Sequence, residues 1–256
     1  MLTLFLLQLM VGISIMWCLL PREKITAGFF RIQMMLMLGL SVLAGLTGRS
    51  QASAPAGLGG WWICLPVLSS VSAYAGSVAW TLDRRRLGEC CLGVVTAANL
   101  LSLLSWRSES WMTSFGAGGW WFVSDLSSAG LLGGFVTGML LGHWYLTAPM
   151  MSLEPLQRQT QLTLVATLWR GLLSCGWFFS HARQEQTSAA MLLLVAQILR
   201  WWAGIILPLI LCIMIFRILR YRNTQSATGV FFAGVILVFL GELAAMFLRV
   251  QTRWPL

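Results

Sequence analysis

The chain has 256 residues, of which 58% are hydrophobic and 10% charged, and its mean hydropathy is +0.78. A soluble domain carries about 25% charged residues, so this chain lacks the polar surface to coat a globule, which excludes a soluble enzyme, a disordered protein and a coiled coil. The net charge of +9 is not a nucleic-acid signature, because the basic residues are scattered between apolar runs rather than gathered on one soluble face.

A membrane barrel alternates apolar and polar residues, whereas this sequence runs apolar without interruption, so the spans are helices. A span needs about 20 apolar residues to cross a hydrocarbon core of about 30 Å. Runs of that kind lie near 2–20, 27–47, 58–81, 89–106, 124–148, 158–179, 189–216 and 227–248. The expected fold is therefore an all-α polytopic membrane protein, a single helical-bundle domain over 1–256 with eight transmembrane helices.

The first run lacks a basic leading segment and a small-residue cleavage site before Pro21, so it reads as a retained helix rather than a signal peptide. The third opens with Gly59-Gly60-Trp61-Trp62, and Gly118-Gly119-Trp120-Trp121 precedes the fifth; indole rings favour the headgroup boundary. The seventh run would be about 42 Å long as a straight helix. Either it tilts strongly as one helix or, as the placement of Arg200 and both Trp side chains favours, it breaks near Arg200, with 187–199 along the interface and Trp201-Trp202 opening the crossing. Thr224 or Ser226 is the expected N-cap of the eighth helix.

Charge sets the orientation. Arg22, Lys24, Arg31, Arg84, Arg85, Arg86, Arg158, Arg217, Arg220 and Arg222 fall at one set of helix ends. Arg49, Arg107, Arg183, Arg249 and Arg253 fall at the other. The excess of basic residues marks the inner side, which places both termini outside; the expected location is a bacterial cytoplasmic (inner) membrane.

The sharpest pattern is a glycine zipper in the fifth run, Gly130, Gly134, Gly138 and Gly142. Glycines four apart line one helix face and admit a close neighbour. The small residues Ser69, Ala73 and Ser77 of the third run form the expected partner face. His143 closes the glycine face. Charges inside spans are costly and mark candidate sites, which singles out Arg170, Arg200 and Glu242, with Asp125 at the outer start of the fifth run and Gln197 nearby. Arg170 and Glu242 lie at similar depth, about 18 and 22 Å from the inner ends of their helices. Together these groups suggest either an outward-opening polar pocket for a quinone headgroup, anion or proton, or an ion pair that locks two helices. Gln33 and Asn99 are expected to hydrogen-bond between helices.

The six cysteines show no metal-ligand spacing, so no metal site is expected; they read as small packing residues, with acylation of Cys90-Cys91 a lesser alternative. A bis-histidine haem needs two buried histidines; the second histidine, His181, falls in a loop. No nucleophile elbow, phosphate loop, dinucleotide motif or zinc-protease motif occurs, so the chain is not expected to catalyse a reaction on its own. Three functions fit. The first is a haem-free, quinone-interacting or anchoring component of a membrane redox complex, in layout similar to the eight-helix quinol anchors. The second is a small transporter or permease with an intramembrane Arg/Glu site. The third is a non-catalytic scaffold or assembly protein. The expected partners are the lipid bilayer and other membrane or redox subunits, and no nucleic acid.

Overall fold

The computed structural model describes residues 1–50, 61–106, 115–148, 151–181 and 190–252. Among them every regular element is helical: α1 (Leu2–Leu19), α2 (Ala27–Ser50), α3 (Trp61–Thr81), α4 (Arg85–Trp106), α5 (Phe115–Thr147), α6 (Glu154–His181), α7 (Ala190–Trp201), α8 (Leu207–Arg220) and α9 (Thr224–Thr252). Seven helical stretches are long and apolar enough to cross a membrane, and α7 and α8 form one of them, Met191–Arg220. Helix α6 is not among the seven. It starts polar, with Gln157, Arg158, Gln159 and Gln161, and carries Arg170 midway.

The contacts fall into two compact units, Met1–Ala129 and Gly130–Leu256. In the first, α1 lies beside α2 and α4, and α3 packs on both α2 and α4, which makes a four-helix arrangement. Pro21 stops α1, because its ring fixes φ and it has no N–H to donate; Leu20 is already extended. The α3–α4 turn is closed by Asp83 in the left-handed region (φ 52°), with Arg84 N–H donating to the carbonyl of Ala79. Three helices are then stitched by side chains. Ser41 bonds Ser69 (3.0 Å), Ser69 donates to Asn99 Oδ1 (2.8 Å), and Asn99 Nδ2 contacts Met37 Sδ (3.4 Å). Asn99 therefore links helices, while Gln33 is buried with its Oε1 unpartnered among the described residues. Nearby, the Trp80 ring lies over Gly88 and stacks on Phe30, centroids 4.8 Å apart.

The second unit is organised by the glycines of α5, and their neighbours are α6 and α9. A methyl group at Gly130 would meet Ala166 at 3.3 Å and one at Gly134 would meet Thr163 Oγ1 at 3.0 Å; at Gly138 and Gly142 it would run into Phe231 and Thr228. Phe231 fills the space over Gly138, and Phe135 in return fills the space over Gly234, their rings edge to face at 6.1 Å. The partner face expected from the sequence is thus replaced. Ser69 is taken up by Ser41 and Asn99 inside the first unit, and the surfaces against the glycines belong to α6 and α9. Gly134→Leu is expected to abolish folding or assembly, because Thr163 Cα stands 3.2 Å from the added Cβ and backbone cannot retreat like a side chain. Unchanged expression and detergent stability of that variant would refute this packing role.

Burial is inverted relative to a soluble protein. Helix α6 leaves Val165, Leu168, Trp169 and Leu172 uncovered and buries Gln159, Thr160, Thr163, Thr167, Arg170 and Ser174 on the opposite face. Its threonines answer to backbone carbonyls one turn back, such as Thr163 to Gln159 and Thr167 to Thr163, both 2.8 Å, so no hydroxyl needs water.

Several helix ends reach beyond the apolar runs. Helix α5 begins at Phe115 and holds the second Gly-Gly-Trp-Trp within it, α4 begins at Arg85, and α9 runs on to Thr252. Backbone hydrogen bonding persists past the point where side chains become polar, so hydropathy underestimates helix length. Gly59 and Gly60 lie outside the described residues. The N-cap of α9 is Asn223, whose Oδ1 accepts from Ser226 N–H at 3.0 Å, rather than Thr224 or Ser226.

The seventh run is corrected too. Its path does not break into an interfacial piece and a crossing piece; α7 continues through one π-helical turn, Trp202–Ile206, into α8. The cause is Pro208, which cannot donate to the carbonyl of residue 204 and whose ring crowds it. A wider turn relieves that clash while leaving the flanking residues, Trp201 and Leu207, helical.

Candidate functional site

The π turn places two glycines where helices cross. Gly204 meets Gly241 of α9 backbone to backbone, and Gly171 of α6 lies against Ile205, a Cβ there standing 3.3 Å from the isoleucine methyl. Small residues permit this approach because nothing protrudes between the backbones. The residues beside these crossings are the charged ones: Arg170 precedes Gly171, Glu242 follows Gly241, and Arg200 sits one turn before Gly204.

Arg170 and Glu242 are 2% and 3% exposed and form a complete fork. Arg170 Nε donates to Oε1 at 3.0 Å and Nη2 to Oε2 at 3.1 Å. A bidentate guanidinium–carboxylate pair is among the strongest charge-assisted contacts, and its geometry offsets part of the cost of removing both ions from water. Arg200, 2% exposed, sends Nη2 to Ser174 Oγ at 2.9 Å, and Ser174 in turn donates to the carbonyl of Arg170 at 2.9 Å. Its Nε and Nη1 are buried with no hydrogen-bond partner among the described residues. Among the described residues, Arg170, Glu242 and Arg249 are the charged groups near enough to act on it.

Asp125 belongs to the first unit. It is fully buried on α5 and accepts from Gln8 Nε2 of α1 at 2.8 Å. His143 stands elsewhere again, uncovered on α5 beside Gly142. Its neighbour Tyr145 is buried and donates to the carbonyl of Ser152. Of the five sequence candidates, the structure brings together Arg170, Arg200 and Glu242, each from a different helix. Gln197 lies on α7, half-buried. All six cysteines are free thiols, Cys212 buried and the others at least partly uncovered. The described residues hold no group of three metal-ligating side chains. A cleft of about 470 Å³ opens between the start of α6 and the end of α8, lined by Ser152, Glu154, Gln157, Arg220 and Arg222 among others.

Two partners of the candidate residues escaped the sequence reading. Gln8 is a neutral polar residue in the first run, and its signal was its presence in an otherwise apolar stretch. Ser174 had no signal, because serines occur throughout the apolar runs. The class these features define is a multi-pass integral membrane protein of helical type. No family model matches the chain, and neither the curated proteins nor the solved structures yield a match.

Proposed function

We propose that the chain is a subunit of a bacterial cytoplasmic (inner) membrane, crossing it eight times with both termini outside, and that it binds a small ligand at the Arg170–Arg200–Glu242 cluster. The eighth crossing is α6: its buried polar face and uncovered Val165, Leu168, Trp169 and Leu172 suit a bilayer even though Arg170 lowers its hydropathy. The observation that carries the ligand reading is Arg200, buried beside a completed ion pair with donors to spare.

In the form the sequence favours, the subunit is a haem-free, quinone-interacting or anchoring component of a redox complex, and Arg200 donates to a quinone carbonyl. In the second form it is a small permease. The π turn beside the charged groups suits that form, because single π turns within helices frequently mark functional sites. Purification in a mild detergent, with mass spectrometry of bound proteins and solvent extraction of quinones, separates the two. A co-purifying redox subunit or stoichiometric quinone is expected from the first form. Isolation of the chain with neither rejects it.

A further inference from the structure

We infer that the cluster around Arg200 receives an oxyanion, the phosphate or carboxylate group of a ligand. The inference rests on the reading of the cluster as a ligand site and adds the charge of what binds there. A guanidinium stays charged at neutral pH and carries five N–H donors. Arg200 is 2% exposed, and Ser174 answers only its Nη2. Nε and Nη1 face no acceptor among the described residues.

The carboxylate of Glu242 makes no hydrogen bond to Arg200; its charge is matched to Arg170, whose Nε and Nη2 lie 3.0 and 3.1 Å from its two oxygens. Among the described residues the other charged groups acting on Arg200 are Arg170, which Glu242 already meets, and Arg249, and neither can accept an N–H. A neutral acceptor such as a carbonyl takes one N–H and leaves the buried charge uncompensated. An oxyanion satisfies several donors and the charge together. Ser174 fixes the guanidinium from behind by holding Nη2 and the Arg170 carbonyl at once, so the free donors are oriented before a ligand arrives.

The same chemistry could reside in an acidic phospholipid headgroup or in a free oxyanion. The full chain, purified in a maltoside detergent and stripped of lipid, is melted with three probes. These are sodium phosphate against sodium chloride at equal ionic strength, phosphatidylglycerol against phosphatidylcholine, and decylubiquinone. Near-saturating phosphate or phosphatidylglycerol is expected to raise the melting temperature by on the order of 5 °C, and the probe that acts names the source. Arg200→Gln loses the rise, Arg200→Lys keeps part of it because the charge remains, and Arg22→Gln in the first unit keeps all of it. If Arg200→Gln does not fold, Arg200→Lys with a weakened response carries the test.

A rise unchanged in both Arg200 variants overturns the inference, as does silence to both anions in the unaltered protein. A response to decylubiquinone alone, lost on altering Arg200, overturns the oxyanion and leaves the ligand site standing. Silence to all three probes removes both.

Discussion

Glu242→Leu is expected to cost about 3–5 kcal/mol of stability in detergent, the penalty for leaving a buried ion without its partner. Arg170→Leu is expected to cost less. The asymmetry follows from the third charge. When Arg170 is removed, Glu242 still faces Arg200, which has unpartnered donors and can take over the carboxylate. When Glu242 is removed, the guanidinium groups of Arg170 and Arg200 share a buried region with no carboxylate between them. The Arg170→Leu/Glu242→Leu double variant should lose less than the sum of the single losses, because it buries no orphaned pair member. Unfolding titrations on the four proteins of the cycle measure this. Strictly additive losses would mean that the fork contributes nothing, and equal single losses would mean that Arg200 does not substitute.

The second large effect concerns the helix crossing that holds this pair. Gly241→Ala is expected to destabilise by about 1–3 kcal/mol, as overpacking does, although alanine is the better helix former by about 1 kcal/mol. Its Cβ would enter the backbone of Gly204 and stand 3.1 Å from the carbonyl carbon of Ala203. The helices must separate, and Glu242 moves with them. Gly229→Ala in the same helix is the control. Nothing lies within 4 Å of its added Cβ, so propensity alone acts and stability is held or slightly raised. Midpoints of detergent unfolding for the two variants should move in opposite directions. A loss at Gly229 equal to that at Gly241 would show that glycine serves α9 through its flexibility and not through the crossing.

Much of the architecture was legible because lipid imposes a simple rule: backbone groups must be satisfied within each helix, so apolar runs of span length become helices. The position of each helix could be read from hydropathy, but not where it ended, since the backbone bonds of α5 and α9 continue into polar sequence. The glycine spacing in α5 announced a close-packed face. It did not say which helix the face meets, because small residues at helical spacing recur in several runs and carry no address. The division of the contacts into two units left no trace in composition, as α5 passes through the boundary without a change in pattern.

For the candidate site, Arg170 and Glu242 stood out as ions in apolar sequence, and their depths could be matched by counting rise along each helix. The relation of Arg200 to them was harder to read. Its direction depends on the π turn, where the regular angular step per residue fails, so periodicity cannot be carried from α7 into α8. Gln8 and Asp125 lie 117 positions apart, and no local pattern links two residues over that distance.

The π turn also has a counting consequence. A π-helical turn holds one residue more than the α-helical turn it replaces. Winding Trp202–Ile206 as α-helix with no residue removed would add about 100° of rotation between α7 and α8. Arg200 would then swing away from Ser174 and Glu242. The aim of one buried cation is thus set by the winding of a chain segment that makes no side-chain hydrogen bond to it. Backbone path here, more than side-chain identity, decides which way the cation looks.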